Sequence, residues 1–398
     1  MRPAPLAIEL FHSTFGRMPG ALASAPGRLE ILGNHTDYNE GLVLSCAAGF
    51  RTAAAVGLAE DDVVEAVSAN LPGGRRRFAL EDAAARGPAG EWSNYLRGLA
   101  AALSEHGVRV PGFRVAVASE LPLAAGMSSS AALEISVLLA LVDCLGLDFP
   151  PEQLARFGQE AESRAVGART GLLDQLSSLC GRAGHLLQTE FRGLEQRHCP
   201  LPAEFAFVVA DSGVKHDLAA EYNERRASCE RAVEMLALVE PGLRSLRDAD
   251  RSMLERHAGV LEPLALKRAW HVVGENARVR EAVVRLRSGD APGFGRLLSE
   301  SHRSSQRYFE NSCPELDALV ELAEADPRCF GARLSGGGFG GVTVHLVEQG
   351  VAAAYAAELA ERAEPALGKR PWTTVCPVGD GARLEDLQGR LAFNVDQE

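Results

Sequence analysis

Gly33-Asn34-His35-Thr36-Asp37-Tyr38-Asn39 is the stretch on which the reading of this chain turns. It sets an amide, an imidazole and a carboxylate in a glycine-opened turn, directly after Leu29-Glu30-Ile31-Leu32. An ionised Asp only accepts hydrogen bonds, Asn both accepts and donates, and neutral His does either. That mixed capacity suits a small molecule with many hydroxyls. Taken alone, the same residues also make an ordinary polar turn after a strand, because Asn, Asp and Gly collect in turns.

Two small-residue loops lie further along. Leu121-Pro122-Leu123-Ala124-Ala125-Gly126-Met127-Ser128-Ser129-Ser130-Ala131 ends where an apolar helical stretch begins. A helix start offers free N–H groups and partial positive charge, which suits phosphate. Alone, a serine triplet is also a plain N-cap. No Walker sequence occurs in the chain. Ser335-Gly336-Gly337-Gly338-Phe339-Gly340-Gly341 holds five glycines in seven positions, a backbone free to take angles that other residues resist.

The 398 residues suggest two domains or one large bilobed one. With 46% hydrophobic and 24% charged residues the composition is that of a globular protein. A net charge of -12 argues against a nucleic-acid binder. No apolar run reaches membrane-spanning length, and the first residues lack the order of an export signal. The eight cysteines are scattered without a C-x-x-C pair, which fits cytoplasmic thiols rather than a disulfide frame or a zinc site.

Strands are expected over 42–44, 51–56, 62–67, 113–118, 205–210 and 342–347. Helices are expected over 131–145, 152–166, 172–180, 219–238 and 264–287. The basic cluster Arg75-Arg76-Arg77 after Leu71-Pro72-Gly73-Gly74 reads as a solvated hairpin tip. Hairpin-like strands mixed with helices, without regular βαβ repeats, give the class α+β.

Residues 26–39, Pro-Gly-Arg-Leu-Glu-Ile-Leu-Gly-Asn-His-Thr-Asp-Tyr-Asn, resemble the galactokinase signature G-R-x-N-x-I-G-E-H-T-D-Y-N. Glu30 stands where the family usually has Asn, and Asn34 where it usually has Glu. The serine loop resembles the phosphate loop of the GHMP kinases, with Met127 for Leu and Ala124-Ala125 for glycines. The glycine-rich run resembles their third motif. The resemblance extends over nearly the whole chain, from Pro26 to Arg383. It implies a two-lobed GHMP kinase fold, with the active site in a cleft between an N-terminal domain (1–185) and a C-terminal domain (186–398).

The resemblance also implies roles. Asp174, in Thr170-Gly171-Leu172-Leu173-Asp174-Gln175, would be the base, and Arg28 would stabilise the phosphoryl group. Asn34, His35, Thr36, Asp37, Gly171 and Tyr222 would hold the sugar. Ser68, Trp92, Tyr95 and the loop Ala124, Ala125, Gly126, Met127, Ser128, Ser129 and Ser130 would hold ATP. Ser130 and Glu162 would hold magnesium, which prefers oxygen ligands. The segments around His271 to Glu275, Glu300 to Ser304 and Ser312 to Asp317 would serve the fold.

The implied reaction moves the ATP γ-phosphate to O1 of galactose. The partners are a small sugar and ATP, with no nucleic acid or membrane, in a cytoplasmic monomer or weak homo-oligomer. Other sugar 1-kinases, for N-acetylgalactosamine, arabinose or galacturonate, and a non-catalytic galactose/ATP sensor are the alternatives. Asn34 is neutral and one methylene shorter than Glu, so weaker galactose binding or tolerance of C6-altered sugars is expected at that position.

Overall fold

The computed structural model describes residues 2–71, 73–122, 126–214 and 219–387, so Ala124 and Ala125 of the expected phosphate loop lie outside the described residues. The chain opens with α1 (Pro3–Phe15), β1 (Ala21–Leu32), β2 (Leu42–Leu58), β3 (Val63–Ser68), β4 (Arg76–Ala79), α2 (Ser93–Glu105), β5 (Phe113–Ser119) and α3 (Ser129–Cys144). Next come α4 (Pro151–Val166), α5 (Leu173–Cys180), β6 (His185–Glu190), β7 (Glu195–Pro200), β8 (Phe205–Asp211), α6 (Ala219–Ala237), α7 (Arg251–His257) and α8 (Pro263–Arg287). It closes with α9 (Ala291–Ser304), α10 (Pro314–Glu324), β9 (Cys329–Ser335), β10 (Val342–Glu348), α11 (Ala352–Leu367), β11 (Thr373–Cys376) and β12 (Arg383–Leu384).

Among the described residues there are two sheets. The eight-stranded one runs β12-β1-β2-β5-β3-β4, with β6 on the far end of β2 and β7 beside it. Only the β3–β5 pair is parallel. The four-stranded one, β11-β8-β10-β9, is antiparallel throughout. Side chains alternate along β8 as strand geometry requires. Ala206, Val208 and Ala210 face Tyr355 and Leu359 of α11. Phe205, Phe207 and Val209 face the opposite way and share a core with Leu29, Ile31 and Leu44 of the larger sheet. That shared core fixes the two sheets against each other.

β1 is buried along its whole length, yet it carries Pro26 in its interior. Proline has no N–H for the ladder, so pairing with β2 slips register between Pro26 and Arg28. Beyond the slip, the Arg28 N–H donates to the Met127 carbonyl at 3.0 Å. One irregularity in the strand thus ties the sugar-signature segment to the serine loop.

The expected elements are present with ends moved by a residue or two, with one joining. The two strands expected over 42–44 and 51–56 form a single 17-residue strand. β1 pairs with both halves of it, β6 with its start and β5 with its end. β6 and β7 lie past residue 185 and stay with the larger sheet. α1 goes beyond the sequence expectation. Its Ala4, Ala7, Ile8 and Phe11 recur at helical spacing and cover Leu22, Ala53, Ala55 and Ala116 of the sheet. No helix among the described residues is long and apolar enough to cross a membrane, and the eight cysteines are free thiols.

Candidate active site

The residues of the opening turn stand at the end of β1, where the chain bends through a left-handed His35 (φ 58°) into a short 3-10 turn, Asp37–Asn39. Glu275 of α8 pins the bend, accepting from the N–H groups of Gly33 and Asn34 at 2.8 and 3.0 Å. Burial pushes the Glu275 carboxyl up, but Arg278, His271 and Arg333 outweigh it and hold the group well below the usual carboxylate range. His271 contacts the Asn34 carbonyl at 3.1 Å and the Ser304 hydroxyl at 2.9 Å. The His271–Glu275 segment, expected to serve the fold, does so by holding this turn.

Each side chain of the turn has its own task. The Thr36 hydroxyl is spent inside the loop on the carbonyls of Gly33 and Leu42, and Thr36 is fully buried away from the cavity described next. His35 Nε2 lies 3.0 Å from the Gly337 carbonyl, which can only accept, so Nε2 carries the proton and Nδ1 accepts from the Tyr38 hydroxyl at 2.9 Å. Burial pushes the His35 value down to about 3, so the ring is neutral. The ring stacks on Phe309 with centroids 4.3 Å apart, and Tyr222 sits 5.0 Å away.

These residues open onto a cavity of about 300 Å³, lined among others by Arg28, Glu30, Asn34, Asp37, Gly171 and Tyr222. Burial pushes the Asp37 carboxyl up to about 7, and the nearby Glu30 and Asp174 add to this. Gly171 is there because nothing larger fits: a Cβ would come within 1.8 Å of Asp37 Oδ2. Asn34 is fully buried, and its amide is consumed by protein. Nδ2 donates to Glu30 Oε1 (2.9 Å) and the Gly336 carbonyl (2.8 Å), and Oδ1 accepts from Asn311 Nδ2 (3.0 Å).

A second cavity, of about 390 Å³, adjoins the first. Ser68, Trp92, Tyr95, Gly126, Ser128, Ser129 and Ser130 line it, together with Asn70, Val117 and Leu133. Met127 does not line it; its side chain is 1% exposed and joins the apolar core, and its backbone alone meets the site. Gly338 keeps the glycine-rich turn against the same junction. It holds φ 86°, and a Cβ there would come within 2.2 Å of the Asn311 carbonyl.

Three residues line both cavities: Arg28, Asp174 and Gly337. Arg28 Nε donates to Asp174 Oδ1 at 2.7 Å, Nη2 to Oδ2 at 3.2 Å, and Nη1 to the Gly126 carbonyl at 2.7 Å. Burial works against the Arg28 charge, but Asp174 and Glu30 outweigh it and leave its value raised. The Ser128 hydroxyl also donates to Asp174 Oδ2.

Beside this pair, Ser130 Oγ donates to Glu162 Oε1 at 2.8 Å. Thr170 and Gln175 donate to Oε2 at 3.2 and 3.1 Å. Burial pushes the Glu162 carboxyl up, and Asp174 adds to this. A hydroxyl and a buried carboxylate in contact, with oxygen donors only, fit a hard divalent cation.

Sequence reasoning missed Asn311, Phe309, Gln175 and Glu134. Asn311 and Phe309 flank the sugar-signature turn from the segment after α9, where a π-helical turn, Ser305–Phe309, widens the helix. Such turns recur at functional sites, but no short motif announces one. Gln175 bridges the fully buried Glu134 to Glu162.

Family models match three segments of the chain. The galactokinase galactose-binding signature matches residues 9–58, the GHMP kinase N-terminal domain 94–182 and the GHMP kinase C-terminal domain 280–364. The chain is 38% identical to a galactokinase of Roseiflexus sp. (strain RS-1) over 94% of its length and 95% of that protein's. It is 35% identical to one from Haemophilus influenzae (strain PittEE), over 96% and 100%. The crystal structure of Lactococcus lactis galactokinase complexed with galactose superposes with a TM-score of 0.89 at 29% identity, covering 94% of this chain and 98% of that one. A mevalonate kinase structure shares the fold at a TM-score of 0.60 and 16% identity, over 90% and 99%. The chain belongs to the galactokinase family of the GHMP kinases.

Proposed function

We propose that this chain transfers the γ-phosphate of ATP to O1 of α-D-galactose, giving galactose 1-phosphate and ADP. The observation that carries this reading is the meeting of the two cavities at Arg28 and Asp174. A sugar in the first and a nucleotide in the second would bring their reacting atoms to that pair.

Asp37, His35, Gly171 and Tyr222 hold the sugar in the first cavity. Asp174 orients the O1 hydroxyl and takes its proton as the O1–Pγ bond forms and the bond from Pγ to the bridging oxygen of ADP breaks. A loose phosphoryl transition state needs positioning and charge neutralisation more than a strong base. Arg28 presents fixed donors to the charge that develops there. Trp92 and Tyr95 flank the adenine, and the N–H groups at the start of α3 face the phosphates.

Ser130 and Glu162 would hold magnesium, which when bound neutralises phosphate charge. The free thiols support a reducing, cytoplasmic compartment. The acidic balance supports small-molecule partners rather than nucleic acid. We place the division between the lobes after β7, beyond the residue 185 expected from the sequence, because β6 and β7 pair with the larger sheet, and read the protein as a monomer or weak homo-oligomer.

The test is ATP-dependent phosphorylation with magnesium over a panel of galactose, glucose, N-acetylgalactosamine, galacturonate and arabinose. Galactose should be preferred over its C4 epimer glucose by about 10⁴-fold or more, since a site built to bond a hydroxyl rejects a misplaced one strongly. Preference for another sugar, or no turnover on any, would overturn the reading.

A further inference from the structure

The two departures from the family signature, at positions 30 and 34, exchange an amide and a carboxylate, and the structure shows the exchanged pair in contact. Glu30 is only 3% exposed, yet it lines the sugar cavity. Its Oε1 is fully engaged, accepting from Asn34 Nδ2 at 2.9 Å and lying 3.1 Å from Arg333 Nη2. Its Oε2 receives no hydrogen bond among the described residues. Asn34 is the reverse case, since both ends of its amide are bonded to protein.

We propose that Glu30, rather than Asn34, is the specificity-determining residue on this wall of the cavity: its Oε2 accepts a hydrogen bond from one sugar hydroxyl, while Asn34 is a positioning residue that orients the carboxylate. The proposal rests on the first cavity being the sugar site. The physical case is one of completion. A buried carboxylate with one oxygen held and the other open onto a cavity is costly unless a donor arrives, and a sugar hydroxyl is such a donor. Burial pushes the Glu30 carboxyl up, and Arg333, fully buried beside Oε1, opposes that push together with Arg28, while the cavity side is left to supply the remaining bond. On this account Asn34 does not loosen sugar recognition, because a carboxylate still lines the wall.

The test measures kcat/KM for galactose and for each monodeoxygalactose and deoxyfluorogalactose, with the wild type and Glu30→Gln. A carboxylate acceptor predicts one ring position at which the wild type loses about 10- to 100-fold on deoxygenation, from the worth of a hydrogen bond to a charged group. The fluoro sugar should lose more, because it lacks the donor and also sets the partial negative charge of fluorine against the carboxylate. In Glu30→Gln the penalty at that one position should shrink to a few-fold, with the other positions unchanged. A merely structural Glu30 would lower every sugar alike, and that result would overturn the proposal.

If Glu30→Gln fails to fold, the reciprocal exchange Glu30→Asn with Asn34→Glu keeps one carboxylate and one amide beside Arg333. An altered ranking of the deoxy sugars is then expected, and an unchanged ranking overturns the proposal. A wild type that does not phosphorylate galactose at all would instead overturn the sugar-site reading on which the proposal rests.

Discussion

The cavity proposed for the sugar and the one proposed for the nucleotide meet at one ion pair but are walled by different means. The first sets polar side chains among Val166, Ala168, Leu173 and Ala219, and hydrogen bonds between distant parts of the chain fix several of them: Asn34 to Gly336 and Asn311, and His35 to Gly337. The second is made of small hydroxyls and apolar surfaces, with Trp92, Tyr95, Val117 and Leu133 opposite Ser128 to Ser130. Side chains locked from behind can tell one hydroxyl from another, and a change of one atom disturbs several bonds. Backbone groups and flat apolar walls read a nucleotide's phosphates and ring face, and they tolerate exchange. Selectivity should therefore be fragile in the first cavity and robust in the second.

The largest expected effect lies at the junction. Arg28→Lys keeps a charge but loses the fork that grips Asp174 and Gly126. Steady-state kinetics should show kcat down by about 10²–10³-fold, with both KM values within a few-fold of wild type. Gly171→Ala comes next. Its Cβ would displace the Asp37 carboxylate, so kcat/KM for galactose should fall by about 10- to 100-fold while KM for ATP stays put. An equal change in both would break the contrast between the cavities.

Trp92→Ala tests the other side. Loss of a stacking wall predicts KM for ATP up about 10-fold, with the ranking of sugars unchanged. The smallest effect is that of pH. With its value near 7, Asp37 holds a proton in the free protein below neutrality. Sugar hydroxyls that donate to its carboxylate must displace that proton, so galactose affinity should rise several-fold from pH 6 to 8. The stability of the free protein should move the opposite way: a raised carboxyl value contributes fully at low pH, and that contribution is lost as pH rises through about 7. Both slopes should vanish in Asp37→Asn, by titration calorimetry and thermal melts respectively.

The sequence carried the site's local pieces well, because each was a contiguous run whose chemistry is short-range. The turn at Gly33 to Asn39, the serine loop before α3 and the glycine-rich turn after β9 all stand at the two cavities. What sequence could not show was how polar capacity is spent. Nothing in the run of letters says that the Thr36 hydroxyl is closed inside its own loop, or that the Asn34 amide bonds to residues 302 and 277 positions away. Met127 is a similar case: its place in the loop suggested phosphate contact, but a large apolar side chain goes to the core and leaves its carbonyl for Arg28. Among the helices, α1 was not anticipated, although Ala4, Ala7, Ile8 and Phe11 carry the apolar spacing that could have found it. α9, with Gly293 and Gly295 in its first turns, depends instead on the Asp290 cap and on packing against β9. Asn311 and Phe309 reach the site through a π-helical turn that no periodicity announces.

The central claim is that Asp174 acts in transfer at a junction whose two cavities bind their ligands separately. Calorimetry of Asp174→Asn with galactose and with a non-hydrolysable ATP analogue, alongside its turnover, tests this most directly. The account predicts both affinities within about 10-fold of wild type and kcat lower by about 10²–10⁴-fold. Turnover retained in Asp174→Asn, or loss of ligand binding large enough to explain the lost rate, would contradict it.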